Sequence, residues 1–223
     1  MKKIIIFCCI LLSFSAMADF QFSPGVFSGL RFESSEKNSF NSPYFKAYSP
    51  IGFEINSQVN LPWIFSFNLG VMYGAGSGRS QYQFYDTKTN TTYIVSDLDT
   101  SYDFLNMTGT LRLHFINGEN VKMFVGYGYL TSTLSLSYSS NDYEAKHGNR
   151  TGLYSAHTST SVPVLESGIE YFWNKTDGLQ LLGRFYKMKT GNIPTLNNST
   201  LTGSMTQISF LYNHVVNWDF FWK

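Results

Sequence analysis

A strict alternation of apolar with small or polar residues constrains this chain more than any other feature. From Trp63 the apolar residues Phe65, Phe67, Leu69, Val71 and Tyr73 recur at every second position. From 66 on, Ser66, Asn68, Gly70 and Met72 separate them. A period of two places the two sets on opposite faces of an extended strand. The same period runs through Leu105, Met107, Gly109, Leu111, Leu113 and Phe115, against Asn106, Thr108, Thr110, Arg112 and His114. It returns at Val121, Met123, Val125, Tyr127 and Tyr129, against Lys122, Phe124, Gly126 and Gly128. One such strand also suits the inside of a soluble sandwich. Length, number and spacing decide.

Eight strands are predicted, at about 20–34, 42–58, 63–76, 100–116, 120–139, 153–173, 178–190 and 200–222. Tight turns at Asn60-Leu61-Pro62, Asn117-Gly118-Glu119-Asn120 and Asn174-Lys175-Thr176-Asp177 are rich in turn formers. Longer polar segments at 35–41, 77–99, 140–152 and 191–199 alternate with them. An even strand count, short turns at one end and long loops at the other mark an antiparallel up-and-down transmembrane β-barrel. Composition agrees. Charged residues are 14% and aromatics 17% at a mean hydropathy of -0.13, too aromatic and too uncharged for disorder. A soluble lipocalin-like barrel would carry more charge on its outer faces. Sixteen basic against fifteen acidic residues leave no basic patch for nucleic acid.

The N-terminus reads as a targeting segment. Lys2 and Lys3 precede an apolar run from Ile4 to Phe14, and Ala16-Met17-Ala18 has the small-x-small pattern of a cleavage site. Residues 1–18 are predicted to be a signal peptide, and 19–223 a barrel with projecting extracellular hairpins. The run is too short to span a bilayer, which takes about 20 residues. Both cysteines, Cys8 and Cys9, fall inside it. The exported chain then has no disulfide, thiolate metal site or cysteine nucleophile. No His/Asp/Glu spacing suits a metal, and no cofactor is expected.

Aromatics cluster beside the turns. Trp63, Phe115, Tyr171, Phe172 and Trp173 flank the short ones, while Tyr102, Tyr127, Tyr129 and Tyr186 lie towards the long loops. Two belts of amphipathic rings at two membrane interfaces account for this placement. At the C-terminus Tyr212, Val216, Trp218, Phe220 and Trp222 share one parity, with Asn213, Asn217 and Asp219 on the other. This end resembles the terminal strand of bacterial outer-membrane proteins, although Lys223 follows the last aromatic. His214 falls on the lipid-facing parity, where a bulge would accommodate it. Across the region after residue 18 the pattern is similar to small eight-stranded barrels of the OmpA and OmpX type. That resemblance implies a monomer in the bacterial outer membrane, with both termini periplasmic. It would be surrounded by outer-membrane lipid and recognised by the barrel-insertion machinery.

The inward parity then receives Arg31, Glu33, Glu54, Arg112, His114, Lys122, Glu166, Glu170 and Arg184. Eight strands leave room for little more than side chains, and buried charges must pair. An ion-pair network around Arg112, Glu166, Glu170 and Arg184 is expected, also drawing in Arg31, Glu54, His114 and Lys122. It would block the lumen; the alternative is a narrow conduit. Catalysis is not favoured. His157-Thr158-Ser159 is similar to the His-x-Ser of outer-membrane lipid A deacylases, but Thr160 and Val162 replace that family's Asn and Gly. His147 with Asp142 or Glu144 is the other acid–base pairing to weigh, so a lipid-modifying enzyme stands as the alternative to a non-enzymatic barrel. Segment 77–99 reads as a hairpin extending the third and fourth strands, with two further membrane strands as the alternative. Long Tyr-, Ser-, Asn- and Gly-rich loops suit contact with a surface partner.

Overall fold

The computed structural model describes residues 19–34, 45–47, 50–61, 64–86, 90–138, 154–189 and 202–216. The strands are β1 (Phe20–Ser34), β2 (Phe45–Ala47), β3 (Ile51–Asn60), β4 (Phe65–Asp86), β5 (Thr91–Asn117), β6 (Val121–Tyr138), β7 (Tyr154–Phe172), β8 (Asp177–Lys189) and β9 (Thr202–Val216). All pair antiparallel. β1 also pairs with β9, from Phe20↔Val216 to Glu33↔Ser204, which closes the sheet. β2 and β3 both lie between β1 and β4 and share one place in the wall. The result is the expected eight-stranded, all-antiparallel, up-and-down barrel. The predicted signal peptide lies outside the described residues.

The short turns hold by local hydrogen bonds. Gly118 N donates to Val121 O at 3.0 Å. Asn174 Oδ1 accepts from the backbone N–H groups of Thr176 at 2.8 Å and Asp177 at 2.6 Å, an Asx-turn that reverses the chain between β7 and β8. At the other end β4 and β5 do not stop at residues 76 and 100. They run on through segment 77–99, paired to Asp86↔Thr91, with a register shift between Ser80 and Tyr82. Above Ser80, among the described residues, β4 pairs with β5 alone. The segment is thus one long hairpin and adds no membrane strands. Asn90, at φ 53, takes the left-handed conformation that Asn tolerates at such a tip.

Burial alternates along the strands where side chains are described, and its chemistry inverts partway up. In the lower part the outside is apolar, with Phe53 (72% exposed), Leu69, Val71, Leu111, Val125, Leu165, Phe185 and Phe210 all facing out. The band covers Val121 to Tyr129 on β6 and Phe65 to Tyr73 on β4, close to the 9–11 residues that cross a bilayer. Above it the outside is polar: Ser77, Ser101, Thr131, Thr133, Ser159, Ser161 and Lys187 are exposed. There the inside is apolar, with Phe27, Phe104, Leu130, Leu134, Val162, Val164 and Met205 buried. The strands outlast the lipid, so beyond it the wall must face water and bury its apolar side instead. This moves Tyr102 (4% exposed) and Tyr186 (2%) into the upper interior. Phe172, beside the short β7–β8 turn, also faces inward, so none of the three belongs to a belt. Tyr127, Tyr129, Phe115, Tyr171 and Trp173 do face out. Trp63, Trp218, Phe220 and Trp222 lie outside the described residues.

Candidate functional site: a charged plug across the lumen

Four ionised side chains from four strands meet in the middle of the barrel. Arg184 on β8 places Nε 2.6 Å from Glu166 Oε1 on β7 and Nη2 2.5 Å from Glu54 Oε1 on β3. Arg112 on β5 brings Nε to 3.0 Å from Glu166 Oε2. The charges alternate as Arg112–Glu166–Arg184–Glu54, a chain spanning the lumen from wall to wall. Every member is buried, with side chains 0–1% exposed.

Neutral partners meet much of the remaining hydrogen-bonding capacity of the chain, although Arg112 Nη2 has no partner. Thr110 Oγ1 donates to Glu166 Oε2 at 2.8 Å. Glu54 Oε2 accepts from Ser209 Oγ at 2.5 Å and Gln207 Nε2 at 3.3 Å, and Oε1 from Asn56 Nδ2 at 2.6 Å. Arg112 Nη1 donates to Gln58 Oε1 at 2.6 Å, and its guanidinium stacks over the Phe124 ring at 4.4 Å. Buried charges persist only when paired and hydrogen-bonded in this way. A list of charges omits Gln58, Asn56, Thr110, Gln207 and Ser209. Their signal in the sequence is parity alone, since all lie on inward positions.

The other charged residues of the predicted network sit elsewhere. Glu170 stands opposite Lys122 in register, yet among the described residues the two form no ion pair. Glu170 Oε1 accepts from Gln21 Nε2 at 3.3 Å, and the Lys122 ammonium lies over the Phe172 ring at 5.3 Å. His114 is buried, with Nε2 2.8 Å from Ser66 Oγ. Arg31 and Glu33 belong to β1, and their side chains lie outside the described residues.

The remaining histidines separate as well. His147 is outside the described residues. The β7 backbone sets His157 opposite Ser135, and Ser159, which is exposed, opposite Thr133. His214 points outward from β9 with no register shift near it, so the expected bulge is absent there. Its cross-strand neighbour explains the tolerance: His214 Nδ1 lies 2.8 Å from Asp177 Oδ1. The same oxygen accepts from Tyr212 Oη at 2.5 Å, and the Tyr212 ring packs on Trp173 with centroids 6.1 Å apart. Those donors, with Thr176 and Asn174, hold the Asp177 carboxyl well below the usual carboxylate range. Among the described residues no three His, Cys, Asp or Glu side chains are set to hold a metal.

No family model matches the chain, and no curated protein matches it by sequence. Solved structures match its fold. The outer membrane protein OprG from Pseudomonas aeruginosa aligns over 90% of this chain and 96% of its own, with a TM-score of 0.63 at 10% identity. Neisserial surface protein A aligns over 88% and 97%, with a TM-score of 0.55 at 11% identity. The outer membrane protein AlkL, solved in lipid bilayers, aligns over 90% of each chain, with a TM-score of 0.50 at 13% identity. At such identity the likeness is one of fold. The chain has the fold of small outer-membrane β-barrels of the OmpA and OmpX kind.

Proposed function

We propose that this chain is a closed, monomeric outer-membrane barrel that serves as a rigid mount for its projecting β4–β5 hairpin, through which it meets a partner at the cell surface. The observation that carries the reading is the plug. Arg112, Glu166, Arg184 and Glu54 reach across the lumen with 0–1% side-chain exposure, which supports a lumen closed at that level. The hairpin supplies the complementary argument. β4 has 22 residues and β5 has 27. At about 3.4 Å per residue, β4 is roughly 70 Å long. An apolar band about 25 Å tall takes up less than half of it. A structure that projects so far from a sealed barrel suits contact better than transport.

Two measurements test this. Purified protein in planar bilayers is expected to show at most brief, small conductances. Photo-crosslinkers installed on living cells at Thr91, near the hairpin tip, are expected to capture a partner, whereas the same group at Phe67, in the lipid-facing band, captures none. Large steady channels would replace this reading with transport. Altered lipid A in cells producing the protein, lost with His157→Ala, would replace it with lipid modification.

A further inference from the structure

The fully buried charges of the lumen do not balance. Among the described residues Glu54, Glu166 and Glu170 stand against Arg112 and Arg184, which leaves one negative charge over, with His114 counted as neutral. The plug is neutral by itself, so the excess belongs to Glu170. That side chain is fully buried and accepts from Gln21 Nε2 at 3.3 Å, while its Oε2 has no partner. Lys122, opposite Glu170 in register, is half-buried and keeps its ammonium over the Phe172 ring. A buried carboxylate persists only with a counter-charge, a metal ion or a proton.

The surroundings of Glu170 choose among these. β7, β8, β9 and β1 are consecutive in the wall, so the Gln21–Glu170 bond passes across β8 and β9. The inward residues of those two strands at this height are Gln180, opposite Glu170, and Asn213, opposite Gly178. Both are buried, and neither side-chain amide has a partner among the described residues. Gln21 spends its N–H groups on Ser23 and Glu170, which leaves its Oε1 unpartnered too. Phe124, Leu182 and Leu211 pack together above this level, and Phe172 is buried one inward step below Glu170. A carboxylate oxygen and three amide oxygens thus gather under an apolar roof. Oxygen ligands carrying a single negative charge suit a hard cation of low charge. A proton would satisfy Glu170 alone and leave both amides as they are.

We propose that this level of the lumen is a binding site for one monovalent metal cation, sodium or potassium. Glu170 Oε2 is the charged ligand, and Gln21 Oε1, Gln180 Oε1 and Asn213 Oδ1 are the neutral ones. Water enters with the ion and bonds Gln180 Nε2 and Asn213 Nδ2, which also lack partners. A divalent ion would overshoot the balance by one charge. The ligands come from β1, β7, β8 and β9, so the ion ties the two ends of the sheet across the seam where β1 meets β9. Its role is to stabilise closure of the barrel below the plug. The site is independent of the part proposed for the β4–β5 hairpin.

Urea unfolding of the mature barrel in uncharged detergent tests the proposal, at one ionic strength in sodium, potassium or choline chloride. Choline carries the same charge, but its methylated nitrogen offers oxygen ligands no coordination site. With the metal ion at about ten times its dissociation constant, the folded-to-unfolded ratio is expected to be about tenfold higher than in choline. Glu170→Gln removes the charged ligand, keeps its shape, and is expected to unfold at one midpoint in all three salts. Gln180→Leu removes a neutral ligand and should weaken the ion dependence, which decides the matter if Glu170→Gln does not fold. Crystals grown in rubidium chloride should show an anomalous peak within coordinating distance of Glu170 Oε2. Equal midpoints of the unaltered barrel in the three salts overturn the proposal. Ion dependence that appears only in Lys122→Met would then name that lysine as the native counter-charge, and none there would leave a proton. A preference for sodium or potassium that survives Glu170→Gln, or a rubidium peak only elsewhere, also sinks the site.

Discussion

Arg112 reaches Glu166 over the top of a glycine. The two residues belong to β5 and β7, with β6 between them, and the residue between them in register is Gly126. A Cβ there would lie 3.1 Å from Arg112 Cγ and 3.4 Å from Glu166 Cβ. The bare backbone at 126 thus clears the way for the 3.0 Å ion pair. Gly126→Ala should be tolerated after a shift of a few tenths of an ångström. Gly126→Leu should push the guanidinium away and strand a buried charge, at about 3 to 5 kcal/mol. Urea unfolding in detergent, followed by heat-modifiable gel migration, reads both.

Arg184 holds two carboxylates and Arg112 only one. Removing Arg112 leaves Glu166 with a remaining cation, while removing Arg184 leaves Glu54 with none among the described residues. Arg112→Ala is expected to cost a few kcal/mol, about 3 or more, and Arg184→Ala to cost more. Adding Glu54→Gln to Arg184→Ala should recover part of the loss, because it removes the stranded charge. Equal unfolding midpoints for the two single variants would contradict the alternating-chain account.

The inversion of wall polarity predicts where charge is tolerated. Val125, in the middle of the apolar band on β6, faces out, and so does Thr133 on the same strand above it. Val125→Arg should destabilise the barrel by about 2 to 4 kcal/mol, and Thr133→Arg by about 0 to 1. Refolding titrations into lipid vesicles measure both. Similar penalties would mean that the band extends past Thr131.

Asp177 sets a pH limit at the turn end of the outer wall. Its carboxyl is held down by Tyr212 first, then His214, Thr176 and Asn174. A carboxylate with a folded-state pKa below its unfolded value, about 3.9, stabilises the fold above that value. The contribution is lost as pH falls through the depressed one. Carbon-13 spectra of the Asp177 carboxyl should therefore show no titration between neutral pH and about pH 4. Tyr212→Phe should bring its midpoint back towards the ordinary range.

Much of the wall is legible in the sequence, because period two is a local property of each strand. Leu69, Val71, Leu111 and Val125 face lipid where alternation puts them, and Glu54, Arg112, Glu166 and Arg184 face inward. Segment 77–99 reads correctly as an extension of two strands. Tyr102, Tyr186 and Phe172 were harder to place. Their side of the sheet follows from parity, but aromatic identity near a strand end points equally to an interface belt and to the barrel interior.

By itself the sequence determined the strands, their faces and the even, short-and-long rhythm of their connections, since backbone geometry ties each to neighbours in the chain. Only the tertiary structure decided which inward charges meet. Arg184 and Glu54 are far apart in the chain, and so are Arg112 and Gln58. Their contact depends on how the closed sheet staggers its strands. Glu170 and Lys122, opposite in register, do not pair, while Glu166 is shared by two arginines from non-neighbouring strands. Parity assigns a side chain to the lumen, but its height and reach within the lumen follow from closure, which no local pattern encodes.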